Sequence, residues 1–121
     1  MKPMKVLVVD DQKVNRTLPR VLLQQAGCEV FEADCGEAAL AFLKGQRVDA
    51  VLLDISMPGI SGTDVCRLLR QDAACAGLFV VAYTAHALVS ERHDILAAGF
   101  DELLIKPINR QRLLSVLKLP V

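Results

Sequence analysis

The sequence predicts an α/β fold, with five parallel strands alternating with five helices and a single sheet in the order 2-1-3-4-5. Three observations carry that reading. Short apolar runs recur at about 5–9, 29–32, 50–53, 78–82 and 102–105. Segments with apolar residues at helical spacing separate them. Two of the runs end on carboxylates, Asp10-Asp11 and Asp54, as buried strands do when their carboxyl ends open onto a loop.

Val6-Leu7-Val8-Val9 is the first strand and stops at Asp10. Val14, Leu18, Val21, Leu22 and Gln25 then follow an i, i+4, i+7 stripe, which predicts a helix laid on the sheet by that face. Pro19 falls inside the stripe and removes a backbone donor, so a kink or a late helix start is expected. The second strand leads into a short Ala-rich helix over 36–44 with Leu40 and Leu43 turned inward. Ala50-Val51-Leu52-Leu53 is the third strand, closed by Asp54 and the Pro58-Gly59 turn. Ser61-x-x-Asp64 has the form of a capping box for a third helix striped by Val65, Leu68 and Leu69. The fourth strand delivers Tyr83 and Thr84, and Leu88, Ile95 and Leu96 stripe the helix after it. The fifth strand ends at Lys106-Pro107. Asn109 is placed to cap a last helix carrying Leu113, Leu114 and Leu117.

Gly27, Gly45, Gly77 and Gly99 each follow a helical pattern, where a residue with positive φ is wanted. Right-handed crossovers between consecutive strands put helices on both faces of a parallel sheet, the flavodoxin-like doubly wound arrangement.

Composition narrows the function classes. The 121 residues suffice for one domain, 1–121, with a sizeable core. The 14 basic and 14 acidic residues cancel, and neither half of the chain is strongly basic, which argues against direct nucleic-acid binding. There is no Trp, one Tyr and four Phe, too few for a base-stacking platform. Cys28, Cys35, Cys66 and Cys75 form no C-x-x-C pair and read as small buried hydrophobes in a reducing compartment. The apolar run near the N-terminus is too short for a signal-peptide core, and no run reaches membrane-spanning length. A soluble, cytoplasmic protein without membrane insertion is expected.

In a sheet of this order the first and third strands are neighbours at the topological switch point, where ligands bind. Asp10, Asp11 and Asp54 therefore converge, with Thr84 and Lys106 arriving from the fourth and fifth strands. Clustered carboxylates repel one another unless a cation sits among them, and an all-oxygen set suits Mg²⁺. A lysine on the far side of Asp54 and a threonine hydroxyl complete a set suited to phosphoryl transfer onto a carboxylate. Taken singly, each feature also fits a plain turn or a helix cap. Their joint placement at four strand ends does not.

Val8-Val9-Asp10-Asp11, the segment from Leu52 through Asp54 and Pro58-Gly59 to Gly62, Ala82-Tyr83-Thr84-Ala85 and Ile105-Lys106-Pro107-Ile108 stand in this order along the chain. With them it resembles a response-regulator receiver domain of two-component signalling, of the chemotaxis-regulator type. The resemblance implies a phosphorelay switch, not an enzyme acting on an external substrate, though one that catalyses its own phosphorylation and dephosphorylation. Asp54 would accept a phosphoryl group from a histidine kinase or histidine phosphotransfer protein. Mg²⁺ would be held by Asp11, Asp54, the Ser56 backbone carbonyl and, mostly through water, Asp10.

Lys106 would pair with the acceptor, and Thr84 would report its modification. The Lys106–Pro107 bond is expected to be cis, and His86 and Ser56 are expected to shape phosphoryl lifetime. Leu103 stands where the family often has an aromatic residue, so the usual coupling of Thr84 to a rotating ring is not expected. The output face implied is 86–98, 102–105 and 109–118, with Ser90, Glu91, Asp94, Arg110 and Arg112 on its exposed side, addressing an unknown downstream protein. The kinase-side partner would meet the first helix near 12–20. The segment 10–16 is more similar to hybrid-kinase receivers than to DNA-binding regulators. A stand-alone receiver, a receiver of a hybrid histidine kinase and a receiver of a longer regulator all fit. Two other classes stay open at this point. One is a haloacid-dehalogenase-like phosphatase, although Asp10-Asp11-Gln12 lacks its D-x-D spacing; the other is a non-phosphorylated pseudo-receiver that serves as a binding module.

Overall fold

The computed structural model describes residues 3–85 and 89–119, with backbone alone for 89–91. Strands β1 (Lys5–Val9), β2 (Glu29–Ala33), β3 (Ala50–Asp54), β4 (Phe79–Thr84) and β5 (Glu102–Ile105) alternate with α1 (Lys13–Gln25), α2 (Gly36–Gly45), α3 (Gly62–Gln71), α4 (Val89–Ala97) and α5 (Arg110–Val116). All strand pairs are parallel, in the order β2-β1-β3-β4-β5. β3 lies at the centre and every one of its residues is buried, Asp54 included. An uninterrupted apolar run is what a strand covered on both faces requires.

Alternation along the strands divides the core in two. Leu7, Val9, Val51, Leu53, Val80 and Ala82 face α2, α3 and α4, where Ala39, Val65, Leu69 and Ile95 meet them. Val6, Val8, Leu52, Val81, Tyr83 and Leu104 face α1 and α5, meeting Leu23, Leu113 and Leu117. Helix starts agree with the sequence where it offers a polar cap. Ser61 Oγ accepts from the Asp64 N–H (3.1 Å) and Asn109 Oδ1 from the Arg112 N–H (2.7 Å).

Several expectations need correction. α1 does not start late; it runs unbroken through Pro19, which is buried together with Leu23. The apolar stripe of the sequence lies mostly outside, with Val14 74% and Leu18 43% exposed and Val21 exposed as well. The helix is turned because Arg16 occupies its inner face. Its NH1 donates to the Asp10 carbonyl (2.7 Å) and its Nε to Glu32 Oε1 (3.0 Å), so a cation, not a leucine, seats this end. Leu68 and Leu96 are likewise exposed. Leu88 lies outside the described residues.

Positive φ is found at Gly27 and Gly99 but at neither Gly45, which is the last residue of α2, nor Gly77, which α3 never reaches. β4 extends two residues further than expected and takes in Tyr83 and Thr84. The four cysteines are free, yet only Cys28 and Cys66 are buried. Cys35 instead caps α2, its Sγ accepting from the Ala38 N–H (3.4 Å).

Candidate functional site

Strand register assembles the site. Val9 pairs with Leu53, so Asp10 and Asp54 are the next residues along on adjacent strands, and Asp54 pairs with Tyr83 across β4. Asp10 and Asp54 share the alternation of Val8 and Leu52, the face of α1 and α5. Lys106, two past Leu104, shares it from β5. The period of two in three separate strands thus brings two carboxylates and an ammonium to one side of the sheet.

Carboxylate oxygens of Asp10, Asp11 and Asp54 lie within 4.8 Å of one another. Asp10 is wholly buried and doubly engaged: Oδ1 accepts from the Gln12 N–H (2.9 Å), and Oδ2 takes Lys106 Nζ at 2.7 Å. The sequence sets Lys106 against Asp54, but it stands 3.6 Å from Asp54 Oδ1 and closer to Asp10. Its ammonium also lies 4.7 Å from the Tyr83 ring centroid, on a face that favours a cation.

Asp54 is 4% exposed, and its Oδ1 accepts from the Ser56 N–H (3.3 Å). Burial raises its pKa from the ordinary 3.8 to about 6, reinforced by Asp10 and opposed by Lys106 and the Ser56 N–H; Asp11 adds slightly to the rise. The Tyr83 hydroxyl is pushed up to about 12, first by burial and then by Asp10 and Asp54. Burial leads both shifts; the Asp10 charge adds to each, and three carboxylates against the one Lys106 ammonium leave an excess of negative charge. A hard divalent cation relieves that excess, and an all-oxygen donor set is what Mg²⁺ takes.

Thr84 ends β4 and is buried, and its carbonyl accepts from the Lys106 N–H (2.8 Å). The Lys106–Pro107 peptide bond is cis. Ser56 is exposed on the β3–α3 loop. Leu103 is partly buried against Ala82 and its neighbours, and its carbonyl lies 3.5 Å from Arg112 NH2. His86 lies outside the described residues, as do the side chains of Ser90 and Glu91. Sequence reasoning missed Arg16, whose bond to the Asp10 carbonyl steadies the acidic pair from behind; it lies opposite the apolar stripe of α1, so that pattern holds no sign of it.

Removing the Lys106 ammonium tests this electrostatic picture. Lys106→Ala leaves Asp10 buried with only a backbone donor, so the metal-free protein is expected to lose about 3 kcal/mol of stability. Mg²⁺ should restore much of that, because the cation replaces the lost charge. Thermal unfolding with and without Mg²⁺ reads both effects. An equal Mg²⁺ response in the variant and the parent would contradict the shared-charge arrangement.

Residues 6–118 match the family described as Response regulator receiver domain. Among curated relatives, the virulence sensor protein BvgS of Bordetella pertussis is 42% identical over 119 residues, covering 91% of this chain and 10% of that protein. The sensor protein GacS of Pseudomonas syringae pv. syringae is 36% identical over 115 residues, covering 93% of this chain and 13% of that protein. The chain thus spans about a tenth of the length of the curated relatives it matches.

Among solved structures, chemotaxis response regulator CheY4 of Vibrio cholerae superposes with a TM-score of 0.91 at 30% identity, over 97% of this chain and 98% of that one. The receiver domain of sensor histidine kinase PA1611 from Pseudomonas aeruginosa PAO1, solved with a magnesium ion coordinated in its active-site cleft, gives 0.89 at 31% identity, over 97% and 96%. Among the described residues, no helix is long and apolar enough to cross a membrane.

Proposed function

The chain belongs to the response regulator receiver domain family, and on that premise we propose that Asp54 is its phosphoacceptor. Receiver domains work as signalling switches in phosphorelays, and this chain is such a switch. The observation that carries the assignment to Asp54 over Asp10 is how unequally the two buried carboxylates are engaged. Asp10 is wholly buried and held by Lys106 and Gln12, whereas Asp54, on the central strand, keeps the looser lysine contact and a small exposed edge.

In the proposed reaction an Asp54 oxygen attacks the phosphorus of a phosphohistidine on a histidine kinase or phosphotransfer protein. The P–O bond forms as the P–N bond breaks, and the departing nitrogen keeps the electron pair; the imidazole leaves neutral because its other ring nitrogen already carries a proton. Bound Mg²⁺ would supply positive charge against the phosphoryl oxygens. Asp11, Asp54 and the Ser56 carbonyl would hold it, with Asp10 acting through water. Lys106 offers a second cation, already shared between Asp10 and Asp54. The Thr84 hydroxyl would hydrogen-bond the phosphoryl group and so report its arrival.

Leu103 lacks a ring to rotate, so readout rests on Thr84 and backbone shifts around it, with Pro107 fixing the lysine turn. His86 and Ser56 would set water access to the acyl phosphate. The chain would work as one receiver unit in the cytoplasm and catalyse its own phosphorylation and dephosphorylation. The exposed Leu96 and Ile105, with Asp94, Arg110 and Arg112, support a downstream protein contact on α4, β5 and α5. Exposed Val14 and Leu18 on α1 support docking of the phosphodonor there. Family membership sets the phosphatase reading aside.

Acetyl phosphate with Mg²⁺ provides the test. One phosphoryl group should appear on the peptide containing Asp54, labile to hydroxylamine and absent when Mg²⁺ is chelated. No label under saturating Mg²⁺, or a label on a different peptide, would overturn the assignment.

A further inference from the structure

The β3–α3 loop, residues 55–61, carries Ser56 and leads from Asp54 into α3. It closes on itself through the Gly62 N–H, which donates to the Ile55 carbonyl (2.9 Å). Its outer half is seated on a different element, the first turn of α2. Glu37 Oε1 accepts from the Ile60 N–H at 3.2 Å, a contact across 23 residues of chain. The same carboxylate stands 3.0 Å from the position a Cβ would take on Gly59, so it lies directly against that turn. Beside it the Ile60 side chain fills the notch left by Gly36, where a Cβ would come within 2.6 Å of Ile60 Cγ1. The Glu37 carboxyl is held below its ordinary pKa chiefly by the Ile60 N–H, in keeping with an engaged carboxylate.

We propose that Glu37 is a positioning residue for the metal-binding loop: by holding the Ile60 N–H against α2 it fixes the path of 55–61 and hence the backbone at Ser56. This rests on the reading of Asp54 and Ser56 as Mg²⁺ ligands. Glu37 touches neither the cation nor the phosphoryl group. Its effect reaches them because a loop without this tether, held by its two ends and the Gly62–Ile55 bond, samples positions in which the Ser56 carbonyl points away from Asp54 and Asp11. An intact tether keeps that ligand ready before the cation arrives.

The test is Mg²⁺ affinity by calorimetry on three variants, with amide hydrogen exchange at Ile60 as the local readout. Glu37→Ala should weaken Mg²⁺ binding about fivefold and speed exchange at Ile60, as loss of one hydrogen bond implies. Labelling by acetyl phosphate should slow at low Mg²⁺ and recover at saturating Mg²⁺. Glu37→Gln removes the charge but keeps an acceptor at the same reach, and should stay within about twofold of the parent. Glu37→Asp keeps the charge but is one methylene short, and should behave like Ala; it also serves if the Ala variant fails to fold.

An Asp variant that binds like the parent, or a Gln variant as weak as Ala, would overturn the proposal in favour of a plain charge effect. Parent-like affinity in Ala would do the same. If the parent itself bound no Mg²⁺, the reading of the acidic site would fail first, which is a separate result.

Discussion

Asp54→Asn is expected to abolish labelling by acetyl phosphate and, in the same protein, to raise the thermal midpoint without metal. The first effect follows from losing the nucleophile. An amide oxygen does not form the acyl phosphate, and Asp10 is wholly buried and already engaged by Lys106 and the Gln12 N–H. Label retained on the variant would mean that another residue accepts. The second effect follows from the electrostatics of the pocket. Folding raises the Asp54 pKa from 3.8 to about 6. The folded state therefore holds its proton more tightly than the unfolded chain, and stability is lost as pH rises from about 4 through about 6.

At neutral pH that loss amounts to about 3 kcal/mol in the metal-free protein, because each tenfold change in proton affinity is worth about 1.4 kcal/mol. Asparagine does not ionise, so it escapes the loss. The gain should be full above about pH 6 and should vanish near pH 4. Denaturant unfolding of parent and variant at the two pH values in chelator reads it directly. The same titration predicts that Mg²⁺ binding by the parent weakens below about pH 6, since the cation must then displace a proton from Asp54. A stability difference that did not change with pH would mean that Asp54 is not the destabilising charge.

Much of this site was legible in the sequence because strand ends are. An apolar run that stops at an acid places that acid at a sheet edge, and the parallel order then fixes which edges meet. Asp10, Asp54 and Lys106 come together for this reason, through alternation shared by Val8, Leu52 and Leu104. Contacts that depend on the path of a loop or the rotation of a helix left little trace. Arg16 and Pro19 look like poor core residues, yet they occupy the inner face of α1 and turn Val14 and Leu18 outward. Glu37 and Ile60 are 23 residues apart, with no periodicity linking a helix's first turn to a loop beyond the next strand. The division of Lys106 between Asp10 and Asp54 is a matter of about an ångström, 2.7 against 3.6 Å, which spacing along a chain does not encode.

Gly62→Ala is expected to be the most damaging single-methyl change near the site. Gly62 is the first residue of α3 and is buried. A Cβ there would overlap the backbone oxygen of Asp54 and come within 2.8 Å of Ile55 Cα. Both are main-chain atoms, one at the carboxyl end of the central strand and one just past it, and no flexible side chain can swing aside. Either α3 moves off the sheet or the end of β3 bends. The first separates buried Val65, Cys66 and Leu69 from the core, and the second displaces the Asp54 carboxylate from Asp10 and Asp11. Overpacking against a rigid backbone costs about 2–4 kcal/mol, so the urea midpoint should fall clearly. Mg²⁺ affinity should fall with it even where the variant is still folded, because the acidic cluster no longer closes to the same separation.

Gly77→Ala is the control. Nothing lies within 4 Å of a Cβ at Gly77, and its φ is not positive, so stability there should stay within about 0.5 kcal/mol of the parent. If Gly62→Ala unfolded at the parent's midpoint and bound Mg²⁺ as tightly, the close approach of α3 to the end of β3 would be wrong. The support of Asp54 from behind would then have to come from elsewhere in the fold.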